Sequence, residues 1–261
     1  MAINEDRKCN DLTGKEWLQN SFSIWRNINK EKAEKELEHP ASFPVALAEK
    51  IIRTFAKKGS RIIDPFNGIG STTLAASKCD CSAVGIDLSK KFCNIASKRV
   101  NDENINIICG DCLEVLQSLN DNMFDLCVTS PPYWDILNMK HSVDKKATTS
   151  YSKKKTDLGN ILKYNDFINA LGNVFELVAK KIVPNGYCVI NVMDIRKKSN
   201  FYPLHCDLVT ELSTRGFYLD DIIIWDRQQE YNNMRPLGYP YKFRINKVHE
   251  YLMIFIKKGV E

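Results

Sequence analysis

The chain has 261 residues, of which 44% are hydrophobic, 37 are Lys or Arg, 32 are Asp or Glu and nine are Cys. This ordinary globular composition excludes collagen-like, coiled-coil and wholly disordered classes. The lack of a long apolar run predicts no membrane span or membrane partner. The charged start and the odd, scattered cysteines predict no secretory signal and reduced thiols, hence a cytoplasmic protein. The net charge of +5 permits a polyanionic partner without requiring one.

The first 38 residues are highly charged apart from the segment between Trp17 and Trp25. Within it, Leu18, Phe22 and Trp25 share one helical face, which predicts a helix that packs on the rest of the protein. A lid or a ligand contact is the alternative. We therefore divide the chain into an N-terminal helical extension, 1–38, and one larger domain, 39–261.

Helical and strand patterns alternate from Phe43 onward. Helices are predicted over 44–57, from Ser71, and over 89–101, 165–182 and 203–215, and strands over 61–64, 83–87, 106–109, 124–129, 187–193, 218–225 and 251–257. Strands separated by helices predict an α/β fold with a mostly parallel sheet and helices on both faces. In such sheets ligands bind beyond the carboxyl ends of the strands. Two long stretches, 134–163 and 226–248, interrupt the alternation and are predicted to be functional loops.

A glycine-containing loop follows the first of these strands and leads into a helix. Its sequence is Asp64-Pro65-Phe66-Asn67-Gly68-Ile69-Gly70-Ser71. Gly68 and Gly70 allow the backbone to approach a ligand closely, and the helix start supplies amide donors. Because the loop lacks the G-x-G-x-x-G spacing and the Gly-Lys-Ser/Thr ending, nicotinamide and triphosphate ligands are disfavoured. A tight turn without a ligand is the alternative.

Carboxylates follow the first three strands of the domain. Asp64 ends the first, Asp87 ends the second and Asp111 follows the third. The distance in sequence from Asp64 to Asp87 is about that at which a carboxylate binds ribose hydroxyls. Three acids at one sheet edge favour a cofactor with ribose and adenine but no phosphate, namely S-adenosyl-L-methionine. We expect no metal, because zinc-ribbon spacing is absent from Cys79, Cys81, Cys109 and Cys112.

The fourth strand runs directly into Thr129-Ser130-Pro131-Pro132-Tyr133-Trp134. The two prolines fix the backbone and lack amide donors, so the Pro131 carbonyl can accept a hydrogen bond beside the Ser130 side chain. Tyr133 adds a flat face. The three groups together predict a clamp for a planar amine, and a rigid strand-ending turn is the alternative.

DPFNGIGSTT and TSPPYW together resemble the DNA amino-methyltransferases, which modify the exocyclic amines of cytosine or adenine. His39-Pro40-Ala41-Ser42-Phe43-Pro44 is similar to a further cofactor motif of that family. The likeness covers most of 39–257, and it implies a Rossmann-like S-adenosylmethionine-dependent methyltransferase fold. Here the cofactor motifs precede the catalytic motif, whereas many small members have the reverse order.

The resemblance implies roles for individual residues. The catalytic residues that would hold a flipped base are Ser130, Pro131, Pro132 and Tyr133. Trp134 and Trp225 would bind the substrate, the latter in the base pocket. Asp87 would hold the ribose and Asp111 the adenine amine. The other cofactor-binding residues would be Phe43, Asp64, Pro65, Phe66, Gly68, Gly70, Ser71 and Cys112.

The two long loops are the expected contacts with double-stranded DNA. The candidates in them are basic residues that would track phosphates: Lys153, Lys154, Lys155, Arg227 and Arg235. A solvated charged loop is the alternative. A cognate restriction endonuclease is a further candidate partner.

Ser at the first position of the clamp resembles the cytosine-specific members, so transfer to the N(4) amino group of cytosine is expected in preference to N(6) of adenine. No Pro-Cys dipeptide occurs, so methylation of a ring carbon through a cysteine is not expected. Two different functions stay open at this point: a methyltransferase that acts on RNA or on protein glutamine, and a catalytically silent DNA-binding module.

Overall fold

The computed structural model describes residues 8–37, 42–134, 157–230, 234 and 236–259. The strands in this part of the chain are β1 (Ile24–Trp25), β2 (Arg61–Asp64), β3 (Ser82–Asp87), β4 (Ile105–Cys109), β5 (Phe124–Thr129), β6 (Ile182–Val192), β7 (Ile195–Lys197), β8 (Asn200–Tyr202), β9 (Phe217–Asp226) and β10 (His249–Lys257). The helices are α1 (Gly14–Asn20), α2 (Lys32–Lys35), α3 (Val45–Phe55), α4 (Ser71–Lys78), α5 (Lys90–Arg99), α6 (Cys112–Ser118), α7 (Tyr164–Lys181) and α8 (Leu204–Ser213).

Eight strands form one sheet in the order β1-β9-β10-β6-β5-β2-β3-β4, and β7 and β8 form a separate hairpin. Strands β2 to β5 are parallel to their neighbours within this sheet, and β6 is parallel to β5. Strand β10 runs antiparallel to the strands beside it, β6 and β9. Strands β3 and β4 follow β2 on one side of it, whereas β5 and β6 lie on its other side, so the strand order reverses between β2 and β5. The predicted mostly parallel α/β sheet is therefore confirmed, and the β2/β5 boundary is where ligands bind in such folds.

Apolar residues cover both faces of the sheet. On one face α7 packs Phe167, Leu171 and Phe175 into a core with β5, β6 and α8. On the other face α3 packs Leu47 and Ile51 into a second core with β2 and α4. The repeat of three to four residues on α3 and α7 is that of an amphipathic helix whose apolar side faces the sheet.

The N-terminal segment differs from the prediction. Helix α1 ends at Asn20, and Trp25 lies in strand β1, which pairs in parallel with β9. Leu18 and Phe22 are exposed, whereas Trp25 is buried, so the predicted single helical face is wrong. Trp25 is held by the sheet edge, because its backbone pairs with Trp225. The segment thus adds a strand to the main domain in addition to short helices.

Helices α2 and α6, strand β1 and the β7–β8 hairpin were not expected from the sequence, and β6 begins five residues earlier than its predicted start. The hairpin is short and has no clear alternation of polar and apolar residues. Among the described residues, no helix has the length and apolar character that a membrane crossing would require.

Candidate active site

Asp64 connects the two sequence motifs at the boundary between β2 and β5. Its carboxylate oxygen Oδ1 accepts hydrogen bonds from the Thr129 hydroxyl at 2.5 Å and from the Phe66 amide at 2.9 Å. Only 1% of Asp64 is exposed, and burial raises its pKa to about 6 despite these hydrogen bonds. Asp64 therefore lies beneath the surface of the site and holds the glycine loop against the end of β5.

The glycine loop is folded by two residues with positive φ, Gly68 at 53° and Gly70 at 84°. A Cβ atom at Gly70 would lie 2.9 Å from the Cβ of Ala96, so glycine here also lets α4 approach α5. The Gly68 amide donates to Asp87 Oδ2 at 2.9 Å. The loop is thereby held against the end of β3, with its backbone at the surface of a cleft.

The cleft encloses about 840 Å³ of empty space, which includes the solvent at its open mouth. Ten residues predicted to bind the cofactor or to act in catalysis line it: Phe43, Pro65, Phe66, Gly68, Ser71, Asp87, Asp111, Cys112, Ser130 and Pro132. Residues from the ends of β2, β3, β4 and β5 thus meet in one concave site, as expected for a parallel sheet.

Three acidic side chains line the cleft, and two of them, Asp87 and Asp111, follow neighbouring strands. Asp87 accepts amide hydrogen bonds from Gly68 and, at 2.8 Å, from Ser89. Burial raises its pKa, and the nearby charge of Asp157 acts in the same direction. Asp111 caps α6 by accepting the Leu113 amide at 2.9 Å. These carboxylates suit a ligand that presents hydroxyl and amino donors.

Several lining residues were missed by the sequence analysis. They are Ser42, Asn67, Ile69, Leu88, Ser89, Asp157 and Leu158. Asp157 caps a short 3-10 turn, Leu158–Asn160, by accepting the Gly159 amide at 2.9 Å. The sequence Asp157-Leu158-Gly159 is typical of such a cap, but it lies in the 134–163 stretch, for which the sequence predicts DNA contacts. Two predicted cofactor residues, Asp64 and Gly70, do not line the cleft and instead support its loop.

The turn after β5 places Ser130 and Pro132 in the wall of the cleft, while Pro131 is buried. Tyr133 is half-buried, and its hydroxyl donates to Glu250 Oε2 at 3.0 Å. Glu250 on β10 is itself buried, and it accepts further hydrogen bonds from Asn191 at 2.5 Å and from the Arg227 guanidinium. The Tyr133 ring is therefore oriented by a buried carboxylate that the sequence analysis missed.

Comparison with known proteins agrees with this geometry. A family profile described as DNA methylase matches residues 2–98 and 124–261, which is most of the chain. The chain belongs to the DNA amino-methyltransferase family. A second profile, described as methyltransferase domain, matches residues 66–140.

The curated relatives match over shorter segments. The orphan methyltransferase M.BamHII of Bacillus amyloliquefaciens is 36% identical over 85 residues, which is 31% of this chain and 32% of the relative. The Type II methyltransferase M.MthZI of Methanothermobacter thermautotrophicus is 30% identical over 156 residues, or 55% of this chain and 42% of the relative. The chain thus aligns with less than half of the length of these two relatives.

An S-adenosylmethionine-dependent methyltransferase of Methanosarcina mazei has the same fold. Its structure superposes with a TM-score of 0.50 and 13% identity, covering 80% of this chain and 98% of that chain. Together with the family match, this confirms the predicted Rossmann-like methyltransferase fold.

The cofactor of this family is S-adenosyl-L-methionine, and the cleft fits it. Carboxylates stand at the ends of two neighbouring strands, and apolar rings of Phe43 and Phe66 lie beside them. None of the described residues that line the cleft is Lys or Arg, so the lining provides no cationic side chain for a phosphate group. The carboxylates and aromatic rings of the lining therefore suit a nucleoside cofactor.

The two tryptophans predicted to bind substrate are both buried in this chain. Trp134 has a positive φ of 43°, donates from Nε1 to the Ile161 carbonyl at 2.8 Å and packs on Tyr164 and Tyr202. Trp225 is 1% exposed. Neither lines the cleft.

The basic residues predicted to contact DNA are only partly described. Arg227 lies over the Trp225 ring, at 4.8 Å from its centroid, and forms ion pairs with Glu230 and Glu250. Its guanidinium therefore contributes to the network around Tyr133. Outside the described residues lie Lys153, Lys154, Lys155 and Arg235.

Proposed function

We propose that the protein transfers a methyl group from S-adenosyl-L-methionine to the exocyclic amino nitrogen of cytosine in double-stranded DNA, which forms N(4)-methylcytosine. One observation carries the proposal. Ser130 of the amine clamp and Pro132 of the same turn line the cleft that also contains Asp87 and Asp111, so an amine held by the clamp and a nucleoside cofactor would face each other. The family membership supports the reaction class.

Different residues of the cleft would bind different parts of the cofactor. Asp87 would accept from the ribose hydroxyls and Asp111 from the adenine amine, because both carboxylates lie at the ends of adjacent strands. Phe43, Phe66 and the Gly68 backbone would pack around the remainder. The cofactor supplies the methyl group, which its positively charged sulfur makes susceptible to nucleophilic attack.

The clamp would hold and activate the target amine. Its nitrogen lone pair is delocalised into the ring, which makes it a poor nucleophile. The Ser130 side-chain oxygen and the Pro131 carbonyl would accept hydrogen bonds from the two N–H groups of the amine and favour a more tetrahedral nitrogen. Positive charge that develops on this nitrogen would be stabilised by the same two acceptors, and fixed placement in the cleft would lower the entropic cost. One of the two amino protons would leave to water to give the neutral product.

Tyr133 would provide the stacking surface for a base that has left the duplex. The Tyr133 hydroxyl donates a hydrogen bond to Glu250, which also accepts hydrogen bonds from Asn191 and Arg227. The ring would therefore be oriented before the base arrives. Such preorganisation reduces the ordering cost of binding.

The neutral side chain of Ser130 supports cytosine as the target. A carboxylate at this position would repel the carbonyl oxygen on the cytosine ring, whereas adenine has no such carbonyl. A hydroxyl avoids this repulsion and still serves as an acceptor. The choice of cytosine over adenine therefore depends on the charge of the clamp.

Methyl transfer from radiolabelled cofactor to duplex DNA, RNA and protein, measured side by side, tests the substrate class. Nucleoside mass spectrometry of the digested DNA then tests the product, with chromatographic standards that separate ring-methylated from amino-methylated cytosine. We expect label in DNA and N(4)-methylcytosine in the digest. Methyladenine would overturn the base assignment, and label in RNA or protein alone would overturn the DNA assignment.

A further inference from the structure

Three aromatic side chains project into solvent from the segment between β9 and β10. Tyr239, Tyr241 and Phe243 are 78%, 94% and 92% exposed; we call them the aromatic ridge. Their alternate positions in the sequence place them in one short stretch, and Ile245 extends the exposed apolar surface. Soluble proteins rarely expose large contiguous apolar patches unless the patch binds something.

The aromatic ridge is interleaved with cations and anchored by them to the β7–β8 hairpin. Lys242 lies between Tyr241 and Phe243 in the sequence and is exposed. The Arg244 guanidinium donates to the Lys198 carbonyl at 2.9 Å, and the Lys247 ammonium lies 5.1 Å from the centre of the Phe201 ring. Arg244 and Lys247 therefore attach the segment to the hairpin, while the three aromatic rings face solvent.

The hairpin connects the aromatic ridge to the catalytic turn. The Lys197 ammonium lies 4.1 Å from the centre of the Trp134 ring, and the Tyr202 ring packs edge-on against the same tryptophan at 5.1 Å. Trp134 directly follows Tyr133 in the chain. Contacts through the hairpin and the buried Trp134 therefore link the aromatic ridge to the turn proposed to receive the target base.

Among candidate partners, nucleic acid with disturbed base stacking fits this surface best. A base that leaves the duplex removes a stacking partner from its neighbours, and exposed aromatic rings can stack on the bases that lose it. Cations beside the rings attract the adjacent phosphates. An apolar protein partner would not require the exposed Lys242 between two of the rings.

We propose that the aromatic ridge is a DNA-docking surface, on which Tyr241 and Phe243 stack against bases beside the extruded target and Lys242 contacts a phosphate. The inference rests on the proposed function in taking double-stranded DNA as the substrate. In this proposal the 236–247 segment contacts DNA by stacking on bases and by a charge contact with a phosphate. It does not recognise the sequence by hydrogen bonds to base edges.

Fluorescence anisotropy with a labelled duplex cut from DNA that the wild-type protein methylates tests the proposal. Tyr241→Ala and Phe243→Ala should each weaken binding by about tenfold, since stacking of one base on an aromatic ring is worth this much or more, and should leave the salt dependence unchanged. Lys242→Ala should instead reduce the slope of log affinity against log salt by about one. Affinity for S-adenosyl-L-methionine should be unchanged in all three variants.

Tyr218→Ala is the matched control, because this tyrosine is also exposed but lies at the opposite end of β9 from Asp226. Its DNA affinity should equal that of the wild type. Wild-type DNA affinity in both ridge variants would overturn the proposal, as would tighter binding of an RNA duplex of the same sequence, or a loss of self-association in place of DNA binding.

Failure of the proposed function has a different signature. If the wild type methylates no DNA, the same titrations are made with a duplex of mixed sequence. Retained binding that Tyr241→Ala and Phe243→Ala weaken would support the docking surface while removing the methylation assignment. No binding by the wild type would overturn both.

Discussion

Replacing Asp87 by Asn changes the central polar contact of the cofactor cleft with almost no change in shape. In the protein, the two carboxylate oxygens each accept a backbone amide, from Gly68 at 2.9 Å and from Ser89 at 2.8 Å, and the carboxylate also lines the cleft. Asn retains one acceptor oxygen, loses the charge and places an amino group where the second acceptor stood. Asp87→Asn therefore weakens both the anchoring of the loop and the proposed ribose contact.

The magnitude follows from the value of a hydrogen bond to a charged group. Such a bond contributes about 1.5–3 kcal/mol, and about 1.4 kcal/mol is a tenfold change in affinity. Loss of one charge-assisted ribose contact should therefore raise the Kd for S-adenosyl-L-methionine by roughly tenfold to a hundredfold. Calorimetric titration of the folded variant measures this change directly.

Asp80→Asn provides the control for loss of an acidic side chain. Asp80 is exposed and pairs with Lys58 at 2.8 Å on the surface, and such pairs contribute little. Asn tolerates the positive φ of 56° at this position. We expect unchanged cofactor affinity in this variant.

The pH dependence gives a second test of the same contact. Burial raises the pKa of Asp87, and the proposed contact needs the ionised form, since only a carboxylate offers both oxygens as acceptors. Cofactor affinity of the wild type should therefore fall as the pH decreases through this raised pKa, at a pH where an ordinary aspartate is still ionised. Asp87→Asn should lack this dependence. An unchanged Kd in Asp87→Asn, or identical pH profiles for the two proteins, would refute the assignment.

Three further predictions concern the residues around Asp87 and the clamp. Ser130→Ala should keep cofactor affinity and lose most of the turnover number in the methyl-transfer assay, because it removes an acceptor used mainly in the transition state; full activity would contradict its role. Glu250→Gln and Tyr133→Phe should each lower kcat without changing cofactor affinity, and the double variant should be no worse than the more damaged single variant if Glu250 acts through Tyr133; additive losses would contradict this. Burial raises the pKa of Asp64 to about 6 from 3.8, so its contribution to stability is full below the lower value and is lost as the pH rises through the higher one. Denaturant unfolding of wild type and Asp64→Asn should show a pH-dependent difference of roughly 3 kcal/mol across this window, and parallel profiles would contradict the raised pKa.

The amino-acid sequence by itself determined the local elements and most of the cofactor cleft. Strands β2 and β5 have the predicted bounds, and helix α7 differs by one residue at each end. These elements are encoded by the spacing of apolar residues over a few turns or pleats. The acids at strand ends could be grouped because parallel strands bring their carboxyl ends to one edge, so the sequence alone predicted that Asp87 and Asp111 lie together.

Only the tertiary structure decided which side chains face the cleft and which support it. Asp64 belongs to the predicted motif, but its carboxylate is turned inward to Thr129. Trp134 follows the clamp directly in the sequence, but a positive φ turns it into a pocket formed by Tyr164 and Tyr202. Local sequence gives residue type and spacing, whereas side-chain direction after an irregular turn depends on neighbours that are distant in the chain.

Glu250 illustrates the same limit most directly. It lies 117 residues from Tyr133, within a strand whose other residues are mostly apolar, and no spacing rule relates the two positions. The contact arises because β10 inserts antiparallel between β6 and β9, which brings the start of β10 beside the carboxyl ends of the parallel strands. The periodicity of apolar residues specifies that such a strand forms, but its direction and its place in the sheet are set by the packing of the whole chain, and these determine which buried carboxylate meets Tyr133.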